Sequence, residues 1–442
     1  MNFVADKQTT DDLNILGKYK PDSIYKLFQQ VVTAGGERLL DSMFQSPLTD
    51  PDAINDRSAI FSYFQRKALD FPFDRATLDT VENFLGAGGG AFLATMAGTI
   101  RRRLLESIVR DEAYARTKAG LLAAIRTLKL FFDFMARLGE DGENSPFAGQ
   151  VAESKILFND SRLGELQKET PDDLGWLEIA RYDHLLRKTL RKEMETVIGI
   201  ITQLDVYMSV SRIAAVKGFS YARALPRSFN TFQAVDLRHP RLENGIGNPL
   251  SFHLDNNMLF LTGANMAGKS TLMKAFGISV YLAHMGFPVA AESLTFSVKD
   301  GIWSSINVPD NLNLGHSHFY AEVLRVKKVA EEVGAGKDLV VIFDELFKGT
   351  NVKDAYDATL AVTAALAQYR YCFFVISTHI IEVGTALKEN GDNIQFSRLP
   401  TTMDGTKPHY SFRLEEGITD DRHGMMIIRN ERILDIIRSP AR

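Results

Sequence analysis

Nine consecutive residues, Gly263-Ala264-Asn265-Met266-Ala267-Gly268-Lys269-Ser270-Thr271, combine two glycines with a lysine and two hydroxyls. That combination suits phosphate. Glycines let backbone N–H groups close around anionic oxygens, Lys269 can reach the outer phosphates, and the Ser270 hydroxyl can ligate magnesium. The run follows the apolar stretch Met258-Leu259-Phe260-Leu261 and opens the apolar stretch Leu272 to Met285. A strand should therefore deliver the loop and a helix N-terminus should back it, which is the context the P-loop pattern requires.

Two further strand ends carry chemistry. Leu339-Val340-Val341-Ile342-Phe343 reads as a buried strand that runs into Asp344-Glu345, where carboxylates are costly unless a cation or hydrogen bonds compensate them. Beside a phosphate loop, Asp344 would hold magnesium, usually through water, and Glu345 would orient or deprotonate an attacking water. Cys372-Phe373-Phe374-Val375-Ile376 reads as the next strand and ends in Ser377-Thr378-His379. The C-terminal edge of a parallel sheet carries its site, so the three strand ends should converge there. His379 would then sense the terminal phosphate or orient the water. Ser317, at the start of an apolar helical stretch, can donate to an anion, which need not be the one held by its own P-loop. His316 and His318 lack a third nearby ligand, and stable metal sites need three or four.

The elements around these motifs fall into two textures. From about residue 20 to about residue 220, apolar residues recur at helical spacing, over Ile24 to Phe44, Ile54 to Leu69, Ala97 to Arg110, Ala113 to Leu138 and Asp183 to Ala214. The last of these, through Leu186, Leu190, Met194, Val197, Ile201, Leu204 and Met208, reads as one long helix. Gly86-Ala87-Gly88-Gly89-Gly90 and the polar stretch Gly139 to Ser145 read as connecting loops. Beyond about residue 220, short β-rich runs, Gly301-Ile302-Trp303-Ser304 among them, alternate with helical segments, as in a mostly parallel sheet. The expected fold is α plus α/β, with an all-helical domain over 1–225 and a P-loop α/β domain over 226–442.

Hydrophobic residues are 45% and charged residues 24% of the 442, a globular balance that excludes disorder as the main state. Lysine and arginine (51) against aspartate and glutamate (55) leave −4, so nucleic acid would have to be met by a local basic surface. Arg101-Arg102-Arg103, Arg187-Lys188 and Arg191-Lys192 are the candidates, although such runs on helices commonly serve solubility. Cys372 is the single cysteine, which forbids an internal disulfide and fits a buried small hydrophobe in a reducing compartment. No signal-like start and no membrane-length apolar run stand out, so a cytoplasmic protein without a membrane partner is expected.

The residues of the second half resemble the ATPase domain of the MutS family of DNA mismatch-repair proteins. Leu261-Thr262-Gly263-Ala264-Asn265-Met266-Ala267-Gly268-Lys269-Ser270-Thr271 is similar to the family's extended P-loop, whose asparagine-methionine pair is narrower than the general pattern. Asp344-Glu345-Leu346-Phe347-Lys348-Gly349-Thr350-Asn351 resembles its acidic strand end, and Ser377-Thr378-His379 its histidine switch. Thr33-Ala34-Gly35-Gly36-Glu37-Arg38-Leu39-Leu40, Ser46-Pro47-Leu48 and Ile54-Asn55-Asp56-Arg57 resemble the start of its helical lever domain.

The resemblance implies an ABC-type head that dimerises around ATP and Mg2+, with Ser317 acting in trans on the partner's nucleotide, and levers that turn head closure into a change in DNA grip. Other repair proteins are implied as partners. The chain also departs from the pattern. Too few residues precede the lever-like start for a mismatch-reading domain, and no clamp is evident between Leu138 and Asp183. Gly245 stands where the family has an aromatic near the adenine, so Phe412 either stacks on the base or serves the core. Little chain follows Asp420, so dimerisation is expected to depend on ATP. Two functions remain: an ATPase that switches its grip on mismatched, branched or distorted DNA, or an ATP-controlled dimerising switch acting on a protein partner. A kinase or GTPase is disfavoured, because no guanine-reading motif is evident and the acidic pair fits water-directed hydrolysis.

Overall fold

The computed structural model describes residues 3–86, 112–140, 142, 145–163, 175–306, 318–404, 407–419 and 433–438. Ser317, His316, Arg101-Arg102-Arg103, the expected helix over Ala97 to Arg110 and most of the Gly86 to Gly90 run lie outside them. Two compact units result, one of Met1–Leu27, Phe44–Ser58 and Ala214–Arg442, the other of Phe28–Met43 and Ala59–Ile213. The expected single division at 225/226 is therefore not the division of the units. Two N-terminal segments belong to the unit that carries the sheets.

Among the described residues, the main sheet of that unit has seven strands: β1 (Val4–Ala5), β2 (Met258–Gly263), β3 (Gly301–Ser305), β4 (Leu339–Asp344), β5 (Phe373–Ser377), β6 (Ile394–Leu399) and β7 (Glu415–Glu416). Their order is β1-β3-β4-β5-β2-β6-β7, all neighbours parallel except β6 and β7. The central strands read as unbroken apolar runs because both faces are covered. Met258, Phe260, Val341, Phe343, Phe374 and Ile376 belong to one buried cluster, and helix Lys269–His284 packs on the sheet with Gly277 against Ile342. Each such fully buried side chain contributes roughly 1.5–3 kcal/mol.

Strand β1 explains why the N-terminus joins this unit. Val4 and Ala5 pair with Gly301 and Ile302, and the short helix Lys7–Asp12 that follows is tied down by three side chains at three-residue spacing. Asp6 pairs with Arg325, Thr9 Oγ1 accepts from Ser304 N at 3.0 Å and from Arg325 Nη2 at 2.9 Å, and Asp12 Oδ2 accepts from Ser304 Oγ at 2.8 Å and Ile306 N at 2.9 Å. A second sheet of four strands runs Arg223–Leu225, Ser293–Ser297, Phe232–Leu237, Asn248–Phe252, its first pair parallel and the others antiparallel.

The other unit is helical where described. Helices Arg75–Gly86, Glu112–Gly139, Ala148–Phe158 and Trp176–His184 belong to it, with most of Ala34–Gln45 and Arg191–Lys217. The continuous helix expected over Asp183 to Ala214 is broken by a π-turn, Leu185–Thr189, which keeps Leu186 and Leu190 buried while shifting the helix phase. The stretch Ile24 to Phe44 is likewise split into Ile24–Phe28 and Ala34–Gln45. In the helical unit the Val32 and Thr33 N–H groups donate to the buried Asp205 carboxylate at 3.0 and 2.7 Å, and Thr33 Oγ1 caps the next helix by accepting from Gly36 N at 2.8 Å. Gly36 must be small, since a Cβ there would run into the Asp205 carboxylate.

Contrary to expectation, helix Arg191–Lys217 is long and apolar enough to cross a membrane, yet 72% of its most apolar window is buried within the protein. It is a core helix. Cys372 is buried, as expected, and burial pushes its thiol up to about 11.

Candidate functional site

Strand β2 ends at Gly263 and hands the chain to a loop that closes at Gly268, whose φ of +103° only glycine adopts readily, before helix Lys269–His284 begins. Met266 in the loop also takes a left-handed backbone and is exposed, as is Asn265, while Ala267 is buried. Lys269 is 5% exposed, and its Nζ donates to the Gly263 and Ala264 carbonyls at 2.7 and 3.2 Å. Thr271 is exposed on the first helical turn.

Sheet register brings the other strand ends to this loop. Asp344 on β4 pairs with Ser377 on β5, and Ser377 pairs with Leu261 on β2. The Ser270 hydroxyl donates to Asp344 Oδ2 at 2.5 Å, while Ser377 Oγ donates to Asp344 Oδ1 at 2.5 Å. Glu345 turns out of the strand with φ +57°, its N–H donating to the Ser377 carbonyl at 3.0 Å. Its carboxylate accepts from His379 Nε2 at 2.5 Å and lies 3.9 Å from Lys348 Nζ. So Lys269, Ser270, Asp344, Glu345 and His379 share one edge of one sheet.

The charges there are tuned. The hydrogen bond from His379 outweighs burial and holds the Glu345 carboxyl below its ordinary range, with His379, Lys348 and Lys269 adding electrostatic support. Glu345 is thus a carboxylate at neutral pH, able to accept a proton from water. Burial lowers the Lys269 ammonium, opposed by Asp344 and Glu345. The Ser270 hydroxyl and the Asp344 carboxylate offer oxygen to a hard cation, the donor set Mg2+ prefers. Among the described residues no group of three or more His, Cys, Asp or Glu side chains could hold a metal ion.

Beside the loop lies a cavity of about 380 Å³. Leu242, Ile246, Ala267, Leu272, Leu399 and Phe412 give it apolar walls. Phe412 is 43% exposed, and its ring lies over Gly268, where a Cβ would stand 3.1 Å from Phe412 Cδ1. His239 also lines the cavity. Burial first, then Lys274 and Arg241, push its imidazole down to about 4, so it is neutral at physiological pH. Arg238 and Glu243 line the cavity as well, but its apolar walls beside the Gly263–Gly268 loop suit a planar ring. His239, Leu242, Ile246 and Asn248 were not singled out by sequence, and their signal was weak: a glycine- and asparagine-rich turn between two short strands.

Arg187 is not available to phosphate as the sequence suggested. Its side chain is 10% exposed, donates to Asp183 Oδ1 at 2.8 Å and lies over the Phe84 ring. Arg191 is exposed and pairs with Glu195 at 2.9 Å, and Lys188 and Lys192 are exposed.

Two family models match the chain. The family model for MutS domain III matches residues 8–211, and that for MutS domain V matches residues 259–440. The chain is 26% identical over 287 residues to the DNA mismatch repair protein MutS of Petrotoga mobilis, covering 63% of this chain and 33% of that protein. It is 31% identical over 199 residues to the DNA mismatch repair protein MutS of Anaplasma phagocytophilum, covering 44% and 24%. To the DNA mismatch repair protein spellchecker 1 of Drosophila melanogaster it is 28% identical over 237 residues, covering 52% and 26%. The matches thus span about a quarter to a third of the length of these relatives. With the helix-rich residues matching one MutS domain and the P-loop, acidic strand end and His379 falling within another, the chain belongs to the MutS family.

Proposed function

We propose that the sheet-bearing unit is an ABC-type P-loop ATPase, and that its turnover switches the grip of a dimer on mismatched, branched or distorted DNA in repair or recombination. The observation that carries the ATPase reading is the shared sheet edge: Ser270 Oγ 2.5 Å from Asp344 beside Glu345 bonded to His379 at 2.5 Å. In this reading the backbone of Gly263 to Gly268 encloses the ATP phosphates, Lys269 leaves its carbonyl partners to bind the outer ones, and Thr271 lies at the loop's exit. Ser270 and Asp344 hold Mg2+, which supplies neutralisation of charge developing on the phosphate oxygens. Glu345 accepts the proton of the attacking water, and His379 orients that carboxylate. Phe412 supplies a stacking face for the adenine. Ser317 serves the partner's nucleotide, as the family resemblance implies, so the active assembly is an ATP-dependent homodimer. Other repair proteins and a cytoplasmic location, in keeping with one reduced cysteine, belong to the same proposal.

A second reading, a switch acting on a protein partner, is favoured by one feature of the helical unit. Leu130, Ile156 and Phe158 are exposed there, with Phe158 packed on the Phe132 ring, and apolar side chains suit protein rather than phosphate.

Steady-state ATP hydrolysis, with and without homoduplex, mismatched and four-way-junction DNA at low and moderate salt, separates the two. The DNA reading predicts that one form changes the rate and that the change fades as salt rises. A rate indifferent to every DNA would contradict it and leave the protein-partner switch.

A further inference from the structure

Phe412 completes the cavity wall in a backbone conformation that its side chain does not favour, with φ at +54°. Asn248, at the start of an edge strand of the four-stranded sheet, holds it there. The Asn248 Nδ2 donates to the Phe412 carbonyl at 2.9 Å, and its Oδ1 accepts from Leu414 N at 2.7 Å. The side chain is buried, so water competes little for either bond. Strand pairing with Leu237 fixes Asn248 in turn.

An amide is the side chain this contact needs, since it must donate to one backbone group and accept from another two residues away. A carboxylate would set negative oxygen against the Phe412 carbonyl. A methyl would leave both backbone groups without their partner. The clamp closes on the segment whose ring lies over Gly268, at the junction of the cavity and the phosphate loop.

We propose that Asn248 is a positioning residue for nucleotide binding: its amide clamps the Phe412 to Leu414 backbone so that the Phe412 ring is preorganised as the face on which the base stacks. This rests on the ATP reading above. Because the clamp acts on the base end alone, its loss should weaken binding of a nucleotide and spare binding of bare phosphates.

The test is equilibrium binding of ATP and of inorganic tripolyphosphate, each with magnesium, to the full chain as wild type, Asn248→Ala, Phe412→Ala and the double variant. Asn248→Ala should weaken ATP about tenfold, within the range expected for loss of one stacked base, and leave tripolyphosphate within about twofold. The double variant should bind ATP no more weakly than Phe412→Ala alone, because the two residues act through one contact. Unchanged ATP affinity in Asn248→Ala, an equal loss for both ligands, or additive losses in the double variant would each overturn the proposal. If Asn248→Ala does not fold, Asn248→Asp, which keeps the acceptor for Leu414 and loses the donor, must show the same selective loss. Wild-type protein that binds tripolyphosphate as tightly as ATP would overturn the stacking premise and the proposal together; wild-type protein that binds neither would overturn the ATPase reading itself.

Discussion

Burial and hydrogen bonding pull single side chains in opposite directions in this protein, and which one wins decides their charge. At Glu345 the hydrogen bond from His379 wins over burial and keeps the carboxylate ionised. At His284 burial wins. The ring is fully buried, Nδ1–H donates to the Leu48 carbonyl at 2.7 Å, and Nε2 accepts from Lys299 N at 3.3 Å, so the neutral form is satisfied on both sides and the imidazole is pushed down to about 4. The unfolded chain takes up the proton first as pH falls below about 6.5, so the stability contributed by neutral His284 is present above that pH and is lost toward pH 4. At pH 5 the loss is about 2 kcal/mol. Urea midpoints at pH 7 and pH 5 should therefore differ less in His284→Gln than in wild type. Equal differences in the two proteins would remove His284 from this role.

At the scale of elements, Asp205 shows how one carboxylate can set where a helix starts. It accepts from Val32 N and Thr33 N just before helix Ala34–Gln45. Asp205→Ala would leave the half-buried Val32 donor and the buried Thr33 donor unpaired, at about 3 kcal/mol, so the Val32 and Thr33 amides should exchange with solvent on the order of 100-fold faster. Unaltered protection at these amides would contradict that account. The sequence announced Thr33 to Leu40 as a motif but not Asp205, because a contact across more than 170 positions has no local signature. The same reason separates what was legible from what was not. Strands β2, β4 and β5 and the helix after the P-loop follow from continuous apolar runs, closed by Gly263, by Asp344-Glu345 and by Ser377-Thr378-His379, and the C-terminal ends of these three strands carry the site as a parallel sheet requires. Strand β1 is two residues long and has no period to read. The π-turn at Leu185–Thr189 preserves three- and four-residue steps on either side, so spacing alone read it as helix. The four-stranded sheet that supplies Asn248 is assembled from runs of three to six residues, too short to stand out.

At the scale of the whole molecule, two compact units correspond broadly to two matched MutS domains, and Lys269, Ser270, Asp344, Glu345, His379 and Phe412, which are assigned to ATP chemistry, lie in the sheet-bearing unit. The central claim is that this unit hydrolyses ATP with Glu345 as the base. It is tested most directly by measuring ATP binding and steady-state hydrolysis side by side, in the presence of magnesium, for wild type and Glu345→Gln. Glutamine fills the same space and can still meet His379, but it cannot take the proton of water. The account predicts ATP affinity within about threefold of wild type and turnover reduced at least about 100-fold, the lower range for losing a general base. Turnover equal to wild type in Glu345→Gln would contradict it.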